Sequence, residues 1–295
     1  MAAIGKLPAP FIMLIMMFPF LRDWIPIGNQ NKDVQKFFTA ATRNAVKLRD
    51  QVEEDNKDFL QLMINARHTD TKSEDIIPGD LRSYKNRGLN ETELSANSTL
   101  FFLAGYDTTA NTLSFASYVL ATHQDIQQCL IDEIDSELNG ESPGYDSISK
   151  LKYLEMFLYE VLRLFGAAIR FNRECKEDIR IKDVFIPKGT FVEAPIFAAH
   201  RNPEYWPDPE KFDPYRFTEE NKAKRPEFSY MPFGIGPRIC IGMRLALLEA
   251  KMAIVHMVQN YTFSPCEQTE VPVTFEKGII LRATNGIHLK IKPRK

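Results

Sequence analysis

The sequence predicts a mainly α-helical fold with a small β part. A run of roughly thirty residues from Asn90 onward is apolar over much of its surface, which is typical of a helix that crosses a core. Residues 151–165 place apolar side chains at helical spacing. Residues 179–197 instead alternate in polarity and contain a Pro-Lys-Gly-Thr turn, which predicts a hairpin and a following strand.

The remaining helices are delimited by local signals. Asn90 and Glu93 have the spacing of a capping box at the start of the long helix. Residues 67–88 are polar, contain proline and glycine, and predict an exposed loop. Further helices are predicted over three ranges: residues 33–66 with a break near Asp55, residues 124–138 and residues 241–260.

Composition limits the functional classes. The chain has 295 residues, a formal net charge of −2 and 26% charged residues, as a globular protein does. No block of lysine or arginine stands out, so nucleic acid is not expected as a partner. The four cysteines Cys129, Cys175, Cys240 and Cys266 are scattered without a CxxC pair, which favours reduced thiols in a cytosol-facing protein.

An apolar run over residues 11–20, with Lys6 ahead of it, complicates the assignment of a cellular compartment. The run has the size of a signal-peptide core and is too short to span a bilayer. Three interpretations stay open: an apolar surface helix or loop, a membrane-dipping segment, and a cleaved signal, although no small-residue cleavage site follows. We therefore divide the chain into an N-terminal segment, residues 1–30, and a main portion, residues 31–295.

Two charged residues occur in the otherwise apolar helix predicted over residues 151–165. Glu160 and Arg163 are three apart and share a face. They form either a buried pair, since a buried charge needs a partner, or an exposed pair worth roughly a few tenths of a kcal/mol. Arg216, in the stretch FDPYRF, could complete a three-member charge cluster.

The long helix contains AGYDTTA, residues 104–110, a stretch of residues with low helix propensity. Gly105 costs about 1 kcal/mol relative to alanine in a helix, and Asp107, Thr108 and Thr109 can bond to the neighbouring backbone instead. Such local conflicts often occur at functional sites. The stretch favours either proton delivery by a carboxylate beside a hydroxyl, or a helix kink whose polar groups are satisfied.

The stretch FGIGPRICIG, residues 233–242, surrounds Cys240 with glycine, proline and arginine. Gly234 and Gly236 permit tight backbone geometry, and Arg238 precedes the cysteine by two residues. Backbone amides, a cation and the N-terminus of a following helix all stabilise a thiolate. Gly242 removes a side chain where a flat partner would approach, so the loop is a candidate thiolate ligand site.

These motifs together resemble the cytochrome P450 family of haem-thiolate monooxygenases, whose haem iron is held by a cysteine thiolate. AGYDTT is similar to the oxygen-activation motif of that family, and EVLR (Glu160 to Arg163) to its ExxR motif. FDPYRF resembles its PERF element, with Tyr215 where glutamate is usual. YMPFGIGPRICIGMRLALLEAKMAI is similar to the drug-metabolising subfamily related to thromboxane synthase.

The resemblance implies which residues would hold heme b. Cys240 would be the axial ligand of the iron. Asp107 and Thr108 would relay protons during the activation of O2. The other implied cofactor contacts are Arg238 and Arg173 to the propionates, Ala104 against the porphyrin, Phe233 shielding the sulfur, and Gly242. The implied substrate contacts are Phe101, Ala167, Ile169 and Ile279.

The resemblance implies a monooxygenase that inserts one oxygen atom from O2 into a lipophilic small molecule. Electrons would come from NADPH through a flavoprotein reductase, with cytochrome b5 as a further partner, at the cytosolic face of the endoplasmic reticulum membrane. Two alternatives stay open: a truncated, inactive family member, and an O2-independent isomerase of the same family, which Asp107 and Thr108 disfavour.

The similarity extends from about Phe18 to the C-terminus. It implies the C-terminal portion of the family fold, with the N-terminal half missing and residues 31–295 as the haem-binding catalytic portion. The strand near residues 191–197 is then expected to lack its sheet partners, leaving an unpaired edge.

Overall fold

The computed structural model describes residues 32–51, 58–67 and 88–294. The chain divides into two compact units, one extending to Ala104 and the other beginning at Gly105. Several sequence predictions fall outside the described residues: the apolar run over residues 11–20, the boundary at residue 30, the break near Asp55 and most of the loop over residues 67–88.

The first unit is helical where it is described. A small apolar cluster centres on Met63, Ile64 and Leu94. The predicted capping box is confirmed, because the backbone amide of Asn90 donates to Glu93 Oε2 (3.0 Å) and that of Glu93 donates to Asn90 Oδ1 (2.9 Å). Its helices are α1 (Lys32–Gln51), α2 (Phe59–Asn65) and the first part of α3 (Glu91–Thr122), which continues into the second unit.

The second unit contains the main hydrophobic core. The rest of α3 carries Phe115, Val119 and Leu120 into this core, where they are buried together with Leu154 and Ile254. Apolar side chains on the inner faces of three other helices complete it. The helices of this unit are α4 (Gln124–Leu138), α5 (Tyr145–Lys150), α6 (Lys152–Phe165), α7 (Ile196–Ala199), α8 (Glu219–Lys224) and α9 (Met243–Asn260).

The described strands form three two-stranded antiparallel sheets. The predicted hairpin is β2–β3, and it turns at Lys182, whose φ is +51°. The expectation that the strand near residues 191–197 lacks its sheet partners is wrong for one edge, because β4 pairs with β1 along its whole length. The other edge of β4 has no partner strand among the described residues, as expected. The strands are β1 (Phe171–Glu174), β2 (Ile179–Ile181), β3 (Val184–Ile186), β4 (Phe191–Ala194), β5 (Tyr261–Pro265) and β6 (Leu289–Pro293).

The predicted mainly helical fold with a small β part is therefore confirmed. Within the described ranges, none of the helices combines the length and apolar character that crossing a membrane would require. Long stretches between β4 and α9 are irregular and are held by specific hydrogen bonds and by two 3-10 turns, Pro214–Phe217 and Gly236–Arg238.

Gln127 joins three elements of the second unit through one buried amide. Its Nε2 donates to the carbonyl oxygens of Leu120 on α3 and Phe263 on β5, both at 2.9 Å. Its Oε1 accepts the backbone amide of Phe263 at 2.8 Å. Both carbonyls also accept from Gln124 Nε2, whereas the amide of Phe263 would be buried without a partner among the described residues if Gln127 were absent.

We predict that Gln127→Leu lowers the free energy of unfolding by about 1–3 kcal/mol, because it leaves the backbone amide of Phe263 buried without its hydrogen-bond partner. Urea denaturation measures this loss. Gln128→Leu is the matched control, since among the described residues exposed Gln128 bonds only to Asp132 on the same helix, and its effect should stay within about 0.5 kcal/mol. Equal losses in the two variants would contradict the assignment.

Candidate active site

The loop before α9 presents Cys240 as an exposed, free thiol. Gly234 and Gly236 have φ angles of +74° and +72°, which side chains other than glycine rarely adopt. The backbone amide of Cys240 donates to the carbonyl of Phe233 at 2.9 Å, which closes the loop. Among the described residues, none donates a hydrogen bond to the Cys240 sulfur, so the sulfur is open to a ligand.

Helix α9 begins at Met243, two residues later than predicted. Gly242 is its N-cap residue, and the carbonyl of Gly242 accepts the first helical bond from Ala246 at 2.8 Å. A Cβ at position 242 would lie 4.0 Å from the Cys240 sulfur. The positive end of the helix dipole therefore lies directly after the thiol, on a side kept clear by glycine.

The surroundings of the thiol combine apolar surface with cationic side chains. Ile239, Ile241 and Leu245 are exposed, Ile241 to 83%. Arg238 lies at the end of the 3-10 turn and is exposed, with no hydrogen-bond partner among the described residues. Exposed apolar side chains beside an unpaired guanidinium suit the binding of a flat, apolar group that carries carboxylates.

Arg173, the second predicted propionate contact, lies on β1 and is exposed. Its guanidinium lies 4.9 Å from the ring centroid of Phe171, and Nη1 donates to the carbonyl of Asn172 at 2.7 Å. The side chain therefore lies against its own strand in this structure.

Glu160 and Arg163 form a fully buried ion pair on α6, with both side chains 0% exposed. Arg163 Nε donates to Glu160 Oε2 at 2.7 Å and Nη2 donates to Oε1 at 2.8 Å. Burial raises the pKa of the Glu160 carboxyl, and Arg163 is the main opposing influence. The forked geometry keeps both buried charges paired, as a low-dielectric interior requires.

Arg216 is the third member of this charge cluster. Its Nε lies 3.4 Å from Glu160 Oε1, in an orientation that makes an ionic contact without a hydrogen bond. The backbone amide of Asp213 also donates to Glu160 Oε1, at 3.0 Å. The cluster thereby attaches α6 to the 3-10 turn that contains Arg216.

His200 connects the charge cluster to the cysteine loop. Its carbonyl accepts a hydrogen bond from Arg163 Nη1 at 2.7 Å. Its ring Nε2 accepts the backbone amide of Met231 at 2.9 Å, so Nδ1 carries the proton and donates to the carbonyl of Arg163 at 3.1 Å. The neutral imidazole thus bridges α6 and the start of the segment that leads to Cys240.

Asp107 and Thr108 lie on α3, which remains helical through residues 104–110. Asp107 Oδ2 accepts a hydrogen bond from Arg282 Nη2 at 2.7 Å. Thr109 Oγ1 and Asn111 Nδ2, in the same part of α3, are buried without a hydrogen-bond partner in the described structure. Buried polar groups of this kind are ordinarily satisfied by water or a ligand.

The predicted substrate contacts fall in both units. In the first unit, where Ala104 is exposed, the ring of Phe101 lies against Phe59, with centroids 3.7 Å apart. In the second, the carbonyl of Ala167 accepts the amide of Leu281 at 2.9 Å. Ile169 lines an open groove of about 350 Å³ beside the segment that contains Ile279, which is exposed.

In the described ranges, no group of three or more His, Cys, Asp or Glu side chains is arranged to hold a metal ion. A haem iron needs little from the protein, because the porphyrin supplies four nitrogens and one thiolate completes the axial side. An open sulfur, the room left by Gly242, apolar surface and a free guanidinium therefore fit haem.

The features described above fit a site of the haem-thiolate type. The family model for Cytochrome P450 matches residues 2–291. Cytochrome P450 3A13 of Mus musculus and Cytochrome P450 3A12 of Canis lupus familiaris are each 41% identical over 290 residues, which cover 97% of this chain and 56% of the relative. Cytochrome P450 3A31 of Mesocricetus auratus is 41% identical over 293 residues with the same coverage.

The chain belongs to the cytochrome P450 family. It spans about half the length of the curated relatives it matches, 56% in each case above. The match to the family model begins earlier than the resemblance that we find from the sequence, at residue 2 instead of about Phe18.

Two residues that the sequence did not indicate contact the predicted site residues. His200 is 37 residues from Arg163 and Arg282 is 175 residues from Asp107. No local sequence pattern predicts either contact. The sequence feature that could have indicated His200 is a histidine in a segment that the fold buries. The feature that could have indicated Arg282 is a lone arginine within an apolar run.

We predict that the free energy of unfolding falls as the pH is lowered from 6.5 toward 4. Burial lowers the pKa of His200 from 6.5 to about 4, so the unfolded chain takes up a proton that the folded protein binds only at lower pH. The stabilisation is complete above pH 6.5 and decreases down to pH about 4, by up to roughly 3 kcal/mol.

Urea unfolding at stepped pH values, compared with His200→Gln, isolates this contribution. The glutamine retains hydrogen-bonding atoms but does not titrate, so its pH slope should be shallower than that of the parent. His256→Gln is the control, because His256 is exposed on α9, and it should keep the parental slope. A parental slope in His200→Gln would contradict the prediction.

Proposed function

We propose that residues 31–295 are the haem-binding, catalytic portion of a monooxygenase that inserts one oxygen atom from O2 into a lipophilic small molecule. The observation that carries this proposal is the open sulfur of Cys240, held at the start of α9 in a loop that fits a thiolate-bound haem. Membership of the cytochrome P450 family supports the same chemistry.

Cys240 is the residue that would hold the iron of heme b, and Phe233 and Gly242 would shield the sulfur and make room for the macrocycle. Arg238 is exposed and free to pair with a propionate. Arg173 would have to leave the carbonyl of Asn172 to do the same. When bound, haem supplies the redox chemistry that activates O2.

Proton delivery is the role that we assign to α3. Asp107 offers a carboxylate and Thr108 a hydroxyl at adjacent positions, so the two can exchange protons with water. The buried Thr109 Oγ1 and Asn111 Nδ2, which have no hydrogen-bond partner among the described residues, support ordered water at this part of the helix. Ala104 would contact the porphyrin, and Phe101, Ala167, Ile169 and Ile279 would contact the substrate.

Electrons would be supplied by NADPH through a flavoprotein reductase, with cytochrome b5 as a further partner. The relatives' membership of the same family is the support for these partners. The cytosolic face of the endoplasmic reticulum membrane is the corresponding proposed location.

A second candidate is a catalytically inactive family member. The orientation of Arg173 favours it, because this predicted propionate contact bonds to the carbonyl of Asn172 on its own strand. An isomerase that does not use O2 is disfavoured by the Asp107–Thr108 pair, since such a reaction needs no proton relay.

We predict that the chain, reconstituted with haemin and reduced under carbon monoxide, gives the absorbance band of a thiolate-ligated haem, and that Cys240→Ala abolishes it. The reason is that the thiolate is the proposed protein ligand of the iron. The difference spectrum is the measurement. A featureless or nitrogen-ligated spectrum in the parent would favour the inactive alternative.

Cys129→Ala is the matched control, because Cys129 is also an exposed free thiol. Together with Cys175→Ala and Cys266→Ala, it should retain the parental band. A thiolate band that persists in Cys240→Ala would show that the ligand assignment is wrong.

We predict that Thr108→Ala diverts electrons from product to hydrogen peroxide, because the relay loses its hydroxyl. The measurement is peroxide formed per NADPH consumed, with purified reductase. Thr122→Ala, at the other end of α3 and bonded only to backbone and His123 in the described structure, should remain coupled like the parent. Equal coupling in Thr108→Ala and the parent would remove Thr108 from the relay.

A further inference from the structure

Asp107 forms an ion pair with Arg282, a residue near the C-terminal end of the sequence. Arg282 Nη2 donates to Asp107 Oδ2 at 2.7 Å across 175 residues of sequence. The Arg282 side chain is 41% exposed and that of Asp107 is 34% exposed, so the pair lies partly out of solvent. Within the described part of the chain, Arg282 is the one hydrogen-bond partner of the Asp107 carboxylate.

The backbone around Arg282 is fixed on both sides. The amide of buried Leu281 donates to the carbonyl of Ala167 at 2.9 Å. The carbonyl of Arg282 accepts the amide of Glu276 at 2.9 Å, and Ala283 forms an antiparallel bridge with Phe275. Arg282 is therefore presented from an anchored segment, in contrast to an arginine on a free surface loop.

The same segment is packed against α3 through aromatic rings. The ring of Phe275 lies 6.1 Å from that of Phe115 on α3, between centroids. Phe115 in turn stacks on Phe165 at 4.8 Å. The packing of these rings thus fixes the distance between the backbone segment that contains Arg282 and α3, which carries Asp107. The ion pair is therefore a defined contact between two fixed backbones.

We propose that Arg282 is a positioning residue for Asp107, holding its carboxylate in one orientation beside Thr108 for proton transfer. This inference rests on the proposed function, in which Asp107 belongs to the proton relay. A lone aspartate on a helix turns among several rotamers. A charge-assisted hydrogen bond to Oδ2 selects one of them and leaves Oδ1 to exchange protons with water.

The pair also connects proton delivery with the segment predicted to contact substrate. Ala167 is bonded to Leu281, and Ala168 bridges Ile280. A molecule that presses on the backbone near Ala167 therefore acts on the residue next to Arg282. Orientation errors of about 1 Å at a reacting group can cost roughly a hundredfold in rate, so such a small displacement matters.

The test compares Arg282→Gln with Arg282→Lys in the haem-loaded chain with reductase, NADPH and 7-ethoxycoumarin as the lipophilic probe. Each NADPH supplies two electrons, which are recovered either in oxygenated product and water or, with two protons and O2, in hydrogen peroxide. Arg282→Gln should raise the share recovered in peroxide about threefold or more. Arg282→Lys, which keeps a cation, should lie between that variant and the parent.

Two further comparisons separate positioning from a structural role. The double variant Asp107→Asn/Arg282→Gln should lose no more electrons to peroxide than Asp107→Asn alone. The reason is that each substitution removes the same contact, the Arg282–Asp107 ion pair. Arg294→Gln, which breaks another long-range ion pair of the second unit, to Asp135, should remain coupled like the parent.

Hydrogen exchange of the backbone amides of residues 281–283 provides a readout that does not depend on turnover. Exchange should be about tenfold faster in both Arg282→Gln and Asp107→Asn than in the parent, and unchanged in Arg294→Gln. Unchanged exchange in both pair variants would overturn the proposal, because the ion pair would then not hold the segment.

The outcomes for the two proposals are distinct. A parent without the thiolate band overturns the proposed function and, with it, any relay for Arg282 to serve. A parent with the band, together with an Arg282→Gln variant that is as well coupled as the parent, overturns the positioning role alone. Faster exchange with unchanged coupling would identify the pair as purely structural.

Discussion

The buried ion pair between Glu160 and Arg163 is the contact on which the site depends. Both side chains are fully enclosed, and the guanidinium also donates to the carbonyl of His200 at 2.7 Å and to that of Lys211 at 3.3 Å. Removing either partner would leave an uncompensated buried charge, which typically costs about 3–5 kcal/mol. This single guanidinium therefore holds helix α6 and two irregular segments in a fixed arrangement.

A continuous series of hydrogen bonds leads from that pair to the thiol. The imidazole of His200 accepts the amide of Met231, the carbonyl of Met231 accepts the amide of Gly234, and the carbonyl of Phe233 accepts the amide of Cys240. The long irregular stretch before α9 is thus ordered by polar contacts where secondary structure is lacking. The open position of the sulfur follows from these constraints, because no step in the series uses the sulfur itself.

Features encoded by neighbouring residues were predictable from the sequence, and features that depend on distant contacts were not. The capping box of Asn90 and Glu93 and the bounds of α4 follow from local spacing. The pairing of β4 with β1 was missed because the expectation relied on strands outside this chain, while the partner lay about twenty residues upstream. The contacts of His200 and Arg282 bridge 37 and 175 residues, so no periodicity could report them.

The central claim is that the sulfur of Cys240 is a ligand of haem iron. X-ray absorption at the iron edge of the haem-loaded chain tests it most directly, because the method identifies the atoms bound to iron whether or not the protein turns over. The account predicts one sulfur in the first coordination shell of the parent and none in Cys240→Ala. A shell of nitrogen and oxygen alone in the parent would contradict it.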